Sequence, residues 1–213
     1  MRMARSEARV RTFVHGWPLV GWAALGLTAM VAMILAAEGT GAEGLRAVIR
    51  ATARTSVTLF ALAFAASSLH RAWPTAANRW ILRNRRYLGV SFATSHFAHL
   101  LAIFALCGWS PAGVLAEGGV AGVALGGVGY LFLAAMTITS FDRTAAWLGP
   151  RRWKRLHTAG GYYLWTIFFL TFAPRAFASP LYATFTLGLL GVLVLRLRTR
   201  TTRAVPAAAL SGA

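Results

Sequence analysis

The chain has 213 residues, 57% of them hydrophobic, 13% charged, with a formal net charge of +17. A soluble domain carries about 25% charged residues, so an ordinary water-soluble globule is excluded. The positive charge suggests nucleic acid only until its distribution is read, because it falls in short clusters between long apolar runs.

Six apolar runs follow in chain order, at about 17–37, 52–70, 87–108, 119–139, 155–173 and 180–197. Each is close to the ~20 residues with which a helix crosses ~30 Å of hydrocarbon. Spanning strands would show ~10-residue alternating segments instead, and helices are the other way to satisfy the backbone in lipid. The expected fold is all-α: an integral membrane six-helix bundle, multi-pass, in a bacterial-type inner membrane. Residues 1–16 read as a basic tail, 17–198 as the transmembrane domain and 199–213 as a disordered C-terminal tail.

The tail before the first run holds Arg2, Arg5, Arg9 and Arg11, with His15 near Trp17 as an interfacial side chain. Ala36-Ala37-Glu38 is a weak cleavage-like site, so the first run reads as an uncleaved span. Run two has Arg54 near its outer start and His70 at its other end. Arg54 could snorkel to the headgroups, or pair with a carboxylate in bidentate geometry. Arg71, Arg79, Arg83, Arg85 and Arg86 lie between runs two and three. Arg143, Arg151, Arg152, Lys154 and Arg155 lie between runs four and five, and Arg196, Arg198, Arg200 and Arg203 close run six. The alternate connections hold Glu38, Glu43, Glu117, Arg46, Arg50 and Arg175. This is the positive-inside pattern, with both termini cytoplasmic. Cys107 is alone, so neither an intramolecular disulfide nor a thiolate cluster is expected. The glycines of run four, from Gly118 to Gly129, read as a surface for close helix packing.

The histidines carry the functional signal. An ionisable group within a span is costly and marks a functional site by default, and imidazole is a common axial ligand of haem iron. With a rise of ~1.5 Å per residue, His96 lies ~15 Å and His99 ~20 Å beyond Arg86. Their i, i+3 spacing places them on one helix face. His70 and His157 lie near the inner interface, as ligands or as solvated side chains. Two axial ligands of one iron need similar heights, so His70 with His157, or His99 with an inward-shifted His157, are the pairings left open.

Two short motifs extend this. Arg85-Arg86-Tyr87-Leu88-Gly89 opens run three, with His99 eleven residues after Leu88, and Trp153-Lys154-Arg155-Leu156-His157 opens run five. Thr139-Ser140 and Leu148-Gly149 stand between them. Over roughly residues 45–175 these resemble the ferric reductase-like transmembrane domain family, in particular the haem-binding membrane subunits of bacterial methionine sulfoxide reductase systems. The resemblance implies a six-helix cytochrome with haem b, one or two groups, between its third and fifth helices. It implies His99 and His157 as iron ligands; His96 and His70, outside the matched motifs, are the alternatives, and Arg54 is a candidate partner for a haem propionate by its guanidinium geometry. The family often has a second histidine on the fifth helix, where this chain has Leu170.

The expected function is transmembrane electron relay by an oxidoreductase component. With no segment suited to a flavin or nicotinamide site, electrons would come from a separate flavin reductase or from quinol. They would leave to an outer-side acceptor such as a periplasmic protein. The alternatives are a haem-free anchor or regulatory subunit and a small transporter with a histidine proton relay. The expected surroundings are the lipid bilayer, without nucleic acid.

Overall fold

The computed structural model describes residues 15–201. Arg2, Arg5, Arg9 and Arg11, and the C-terminal tail beyond Thr201 expected to be disordered, lie outside the described residues. The described chain is built from helices: α1 (Trp17–Glu38), α2 (Ala42–Ala72), α3 (Ala76–Arg83), α4 (Arg85–Leu106), α5 (Pro111–Ile138), α6 (Asp142–Leu148), α7 (Pro150–Phe172) and α8 (Pro180–Thr201), with a 3-10 turn at Ala173–Phe177.

Local chemistry sets the boundaries. Pro111 and Pro150 stand at first helical positions, where the missing N–H has no intrahelical role. The Thr75 and Ser110 hydroxyls accept from the backbone N–H of Asn78 and Gly113, at 3.2 and 3.3 Å. Gly149, at φ 78°, separates α6 from α7 in a conformation that disfavours other residues. Gly119, at φ 65°, breaks α5 near its start, where run four was expected to begin.

Among the described residues five helices, α1, α2, α4, α5 and α8, are long and apolar enough to cross a membrane. Their outward faces carry Trp22, Met33, Leu101, Leu131 and Leu187, each more than half exposed, as a lipid-facing surface requires. α7 is 23 residues long but is not among the five. Its first two turns hold Arg151, Arg152, Lys154, Arg155 and His157. Two boundaries differ from expectation. α2 starts at Ala42, ten residues before run two, and α8 continues through residues 199–201, which were expected to belong to the disordered tail. Thr199 is held in that last turn, its hydroxyl hydrogen-bonded to Ser68 at 3.0 Å.

The core lies among α2, α4, α5, α7 and α8, with Phe60, Phe64, Phe92, Leu133, Phe168, Phe172 and Leu189 buried in one cluster. α2 and α4 share the closest seam. There the Ser56 hydroxyl donates to Ser95 at 3.0 Å, and the Ser95 hydroxyl donates to the Thr52 carbonyl at 3.2 Å. Small hydroxylated residues let two backbones approach and satisfy each other without water. α7 meets its neighbours through Gly160 and Gly161: a Cβ on Gly160 would come within 2.5 Å of Met136 Sδ, and one on Gly161 within 3.4 Å of the Phe64 ring. The α5 glycines differ from expectation. Only Gly129 closely faces another helix, at Tyr163 and Leu164, while Gly122, Gly126 and Gly127 face open space.

Candidate functional site

The end of the bundle that gathers Arg85, Arg86, Trp153 and Lys154 is called here the basic end. α4 runs from it and carries His96 and His99 eleven and fourteen residues beyond Arg85. Their rings stack at 5.2 Å with planes 9° apart. His96 also stacks on Tyr130 of α5 at 5.0 Å and meets Phe168 of α7 edge-on at 5.4 Å. The Tyr130 hydroxyl donates to the His96 carbonyl at 3.1 Å. Three helices thus converge on the His96 ring, yet its Nδ1 is buried without a hydrogen-bond partner.

His99 is anchored on the other side, by α2. Its Nδ1 lies 3.0 Å from the Ile49 carbonyl, which can only accept, so Nδ1 carries the proton and donates. The Thr52 hydroxyl, 3.2 Å away, spends its own proton on the Val48 carbonyl at 2.7 Å and offers His99 a second acceptor. This leaves His99 Nε2 deprotonated, the tautomer in which a histidine binds a metal.

His157 occupies a different level. Its ring stacks on Trp153 at 4.1 Å, and its Nε2 is 3.1 Å from the Thr139 hydroxyl. Thr139 donates to the Ala135 carbonyl at 2.7 Å and accepts Trp153 Nε1–H on its own carbonyl at 2.9 Å. His157 lines a cavity of about 320 Å³ with Arg85, Arg86, Gly89, Phe92 and Gly161. That is at the lower end of the roughly 300–1,000 Å³ of small-molecule sites. Phe168, which touches His96, is eleven residues beyond His157 on the same helix, about 16 Å by helical rise. The fold therefore brings His96 and His99 together and holds His157 apart, near the basic end.

The remaining candidates are dispersed. Because α2 begins early, Arg54 is twelve residues into the helix rather than near its start. Its guanidinium lies over the Tyr182 ring at 5.4 Å, and its Nε is buried without a partner. His70, at the far end of the same helix, likewise has a buried Nδ1 without a partner. His15 is held by Asn84, whose Nδ2 lies 2.9 Å from His15 Nδ1. Leu170 is 55% exposed and points away from the core.

Sequence reasoning missed Ile49, Thr52, Tyr130 and Phe168 around the histidine pair. Only the Thr139-Ser140 motif carried a signal for a partner, that of His157. Among the described residues no three His, Cys, Asp or Glu side chains converge on a metal site; a haem asks for one or two protein ligands, supplied singly. The donor chemistry fits such a group: a half-buried imidazole with Nε2 left over, a second with an orphaned Nδ1, and a buried arginine Nε without an acceptor. No family model, curated protein or solved structure matches the chain.

Proposed function

We propose that this chain is a six-span membrane cytochrome of the ferric reductase-like kind, binding haem b and relaying electrons from a separate flavin reductase or quinol to an outer-side acceptor. The observation that carries the reading is the His99 tautomer: Nδ1–H bonded to the Ile49 carbonyl, Nε2 left for iron. When bound, haem would supply reversible one-electron chemistry at an iron whose potential follows its ligands and burial.

In this reading the Ile49 carbonyl and Thr52 hydroxyl orient the His99 ring and make Nε2 a stronger donor. His157 serves at its own level near the basic end, so the two histidines act at different depths. Arg54 offers its unpaired Nε to a carboxylate, and the aromatic shell of Phe92, Tyr130 and Phe168 keeps water from His96. Both termini lie on the cytoplasmic side, with α7 as the sixth span.

A haem-free anchor is the second reading. It is favoured by His157, whose Nε2 already has a partner in Thr139 and whose ring is already covered by Trp153. Haem content of purified variants separates the two. His99→Ala and His157→Ala should each bind less haem than His15→Ala, and the double variant least. Full haem retention and unchanged reduced spectra in the double variant would reject both ligand assignments.

A further inference from the structure

A second cavity at the basic end, of about 530 Å³, is lined by Ser67, Arg71, Arg85, Lys154, Thr158 and Arg196, beside His157. These residues come from four helices: α2, α4, α7 and α8. Basic residues that only mark the inner face of a membrane point outward from loops. Here four cations converge on one concavity, and no carboxylate among the described residues lines it. Among the described residues, Asp142 is taken by Arg86 at 2.6 Å and Glu117 by Arg46 at 2.7 Å. Neutral groups help to position three of these cations. Arg85 donates from Nε to the Ala63 carbonyl at 3.1 Å. Arg196, 8% exposed, donates to the Phe64 carbonyl at 2.6 Å and has its guanidinium 4.1 Å from the Phe64 ring. Arg71 reaches Ser68 and Thr199, each at 3.4 Å.

Gathering like charges in a partly enclosed pocket is unfavourable unless an anion completes it. Guanidinium and hydroxyl donors together match the oxygens of a phosphate group, and basic clefts between membrane helices take anionic headgroups. We propose that this cavity is a binding site for a phosphate group, borne by an anionic phospholipid headgroup or present as free phosphate. The proposal goes beyond the haem reading and does not depend on it.

The test uses the full chain in nanodiscs of phosphatidylcholine, with and without phosphatidylglycerol, and in detergent with added inorganic phosphate. Arg71→Gln/Lys154→Gln removes two exposed cations of the cavity wall. Arg151→Gln/Arg152→Gln removes the same charge from exposed positions of α7 outside the cavity. An anionic headgroup should raise the melting temperature of the wild type and of the outside variant, and the cavity variant should lose more than half of that rise. A rise with inorganic phosphate alone, lost in the cavity variant, supports the site and assigns it to free phosphate. Equal losses in both variants, or none in either, overturn the proposal. So does loss of haem from the cavity variant with its lipid response intact, which would assign the cations to haem carboxylates. Native mass spectrometry of the wild type gives a readout without variants: preferential retention of phosphatidylglycerol over phosphatidylcholine supports the site with a headgroup as its occupant, and equal retention of the two together with no rise from inorganic phosphate overturns it.

Discussion

His99 and His96 sit three residues apart on one helix and stack on each other, yet their surroundings differ in kind. His99 has its Nδ1 satisfied by two acceptors on α2; His96 has its Nδ1 buried and unpaired. An unpaired buried polar atom costs about 1–3 kcal/mol, so His96 is the less settled of the pair. If His99 holds iron, the Thr52 hydroxyl tunes it by accepting from Nδ1–H, which favours the ferric state. Thr52→Val keeps the shape, and Ile49 still fixes the ring. One net hydrogen bond of about 0.5–1.5 kcal/mol should then appear as an upward shift of the midpoint potential on the order of 20–60 mV. A redox titration of the variant against wild type reads this directly. An unchanged potential would remove Thr52 from the ligand's support.

The helices show which parts of the fold were legible and which were not. Every apolar run became a helix, because length and hydropathy in lipid leave few other choices. The start of α2 was hidden because Glu43, Arg46 and Arg50 interrupt its hydropathy, though none of them interrupts a helix. That difference moved Arg54 from an expected interfacial position to a half-buried one over Tyr182. The i, i+3 face of His96 and His99 was legible, since it follows from helical geometry alone. Their partners on α2, α5 and α7 were not, because interhelical register is decided by packing rather than by period. The α5 glycines were misjudged for the same reason, while the tight contact fell instead at Gly160 of α7. Gly160→Ala gains about 1 kcal/mol of helix propensity. It also places a methyl 2.5 Å from Met136 Sδ and 3.1 Å from the Phe132 ring, and overpacking of this kind costs about 1–3 kcal/mol. The variant should melt lower in detergent, and Met136→Ala should restore part of the loss. A higher melting temperature for Gly160→Ala would show that the α5–α7 contact yields freely.

At the scale of the whole molecule, charge and apolar surface divide cleanly. The basic clusters between α2 and α4 and between α5 and α7 meet at one end, where both cavities open, and Glu43 and Glu117 lie at the start of α2 and of α5, away from it. If the basic end faces the cytoplasm, a reporter fused after Arg203 should behave as cytoplasmic and one inserted near Glu117 as periplasmic. The reverse at either position would break the six-span arrangement.

The account stands on the histidines as haem ligands, and the visible spectrum of the protein, purified folded from haem-replete cells, tests that most directly. A Soret band that shifts on dithionite reduction, with the sharpened α and β bands of a ferrous b-type haem, is the predicted result. Folded protein that remains colourless and unchanged by dithionite would contradict it.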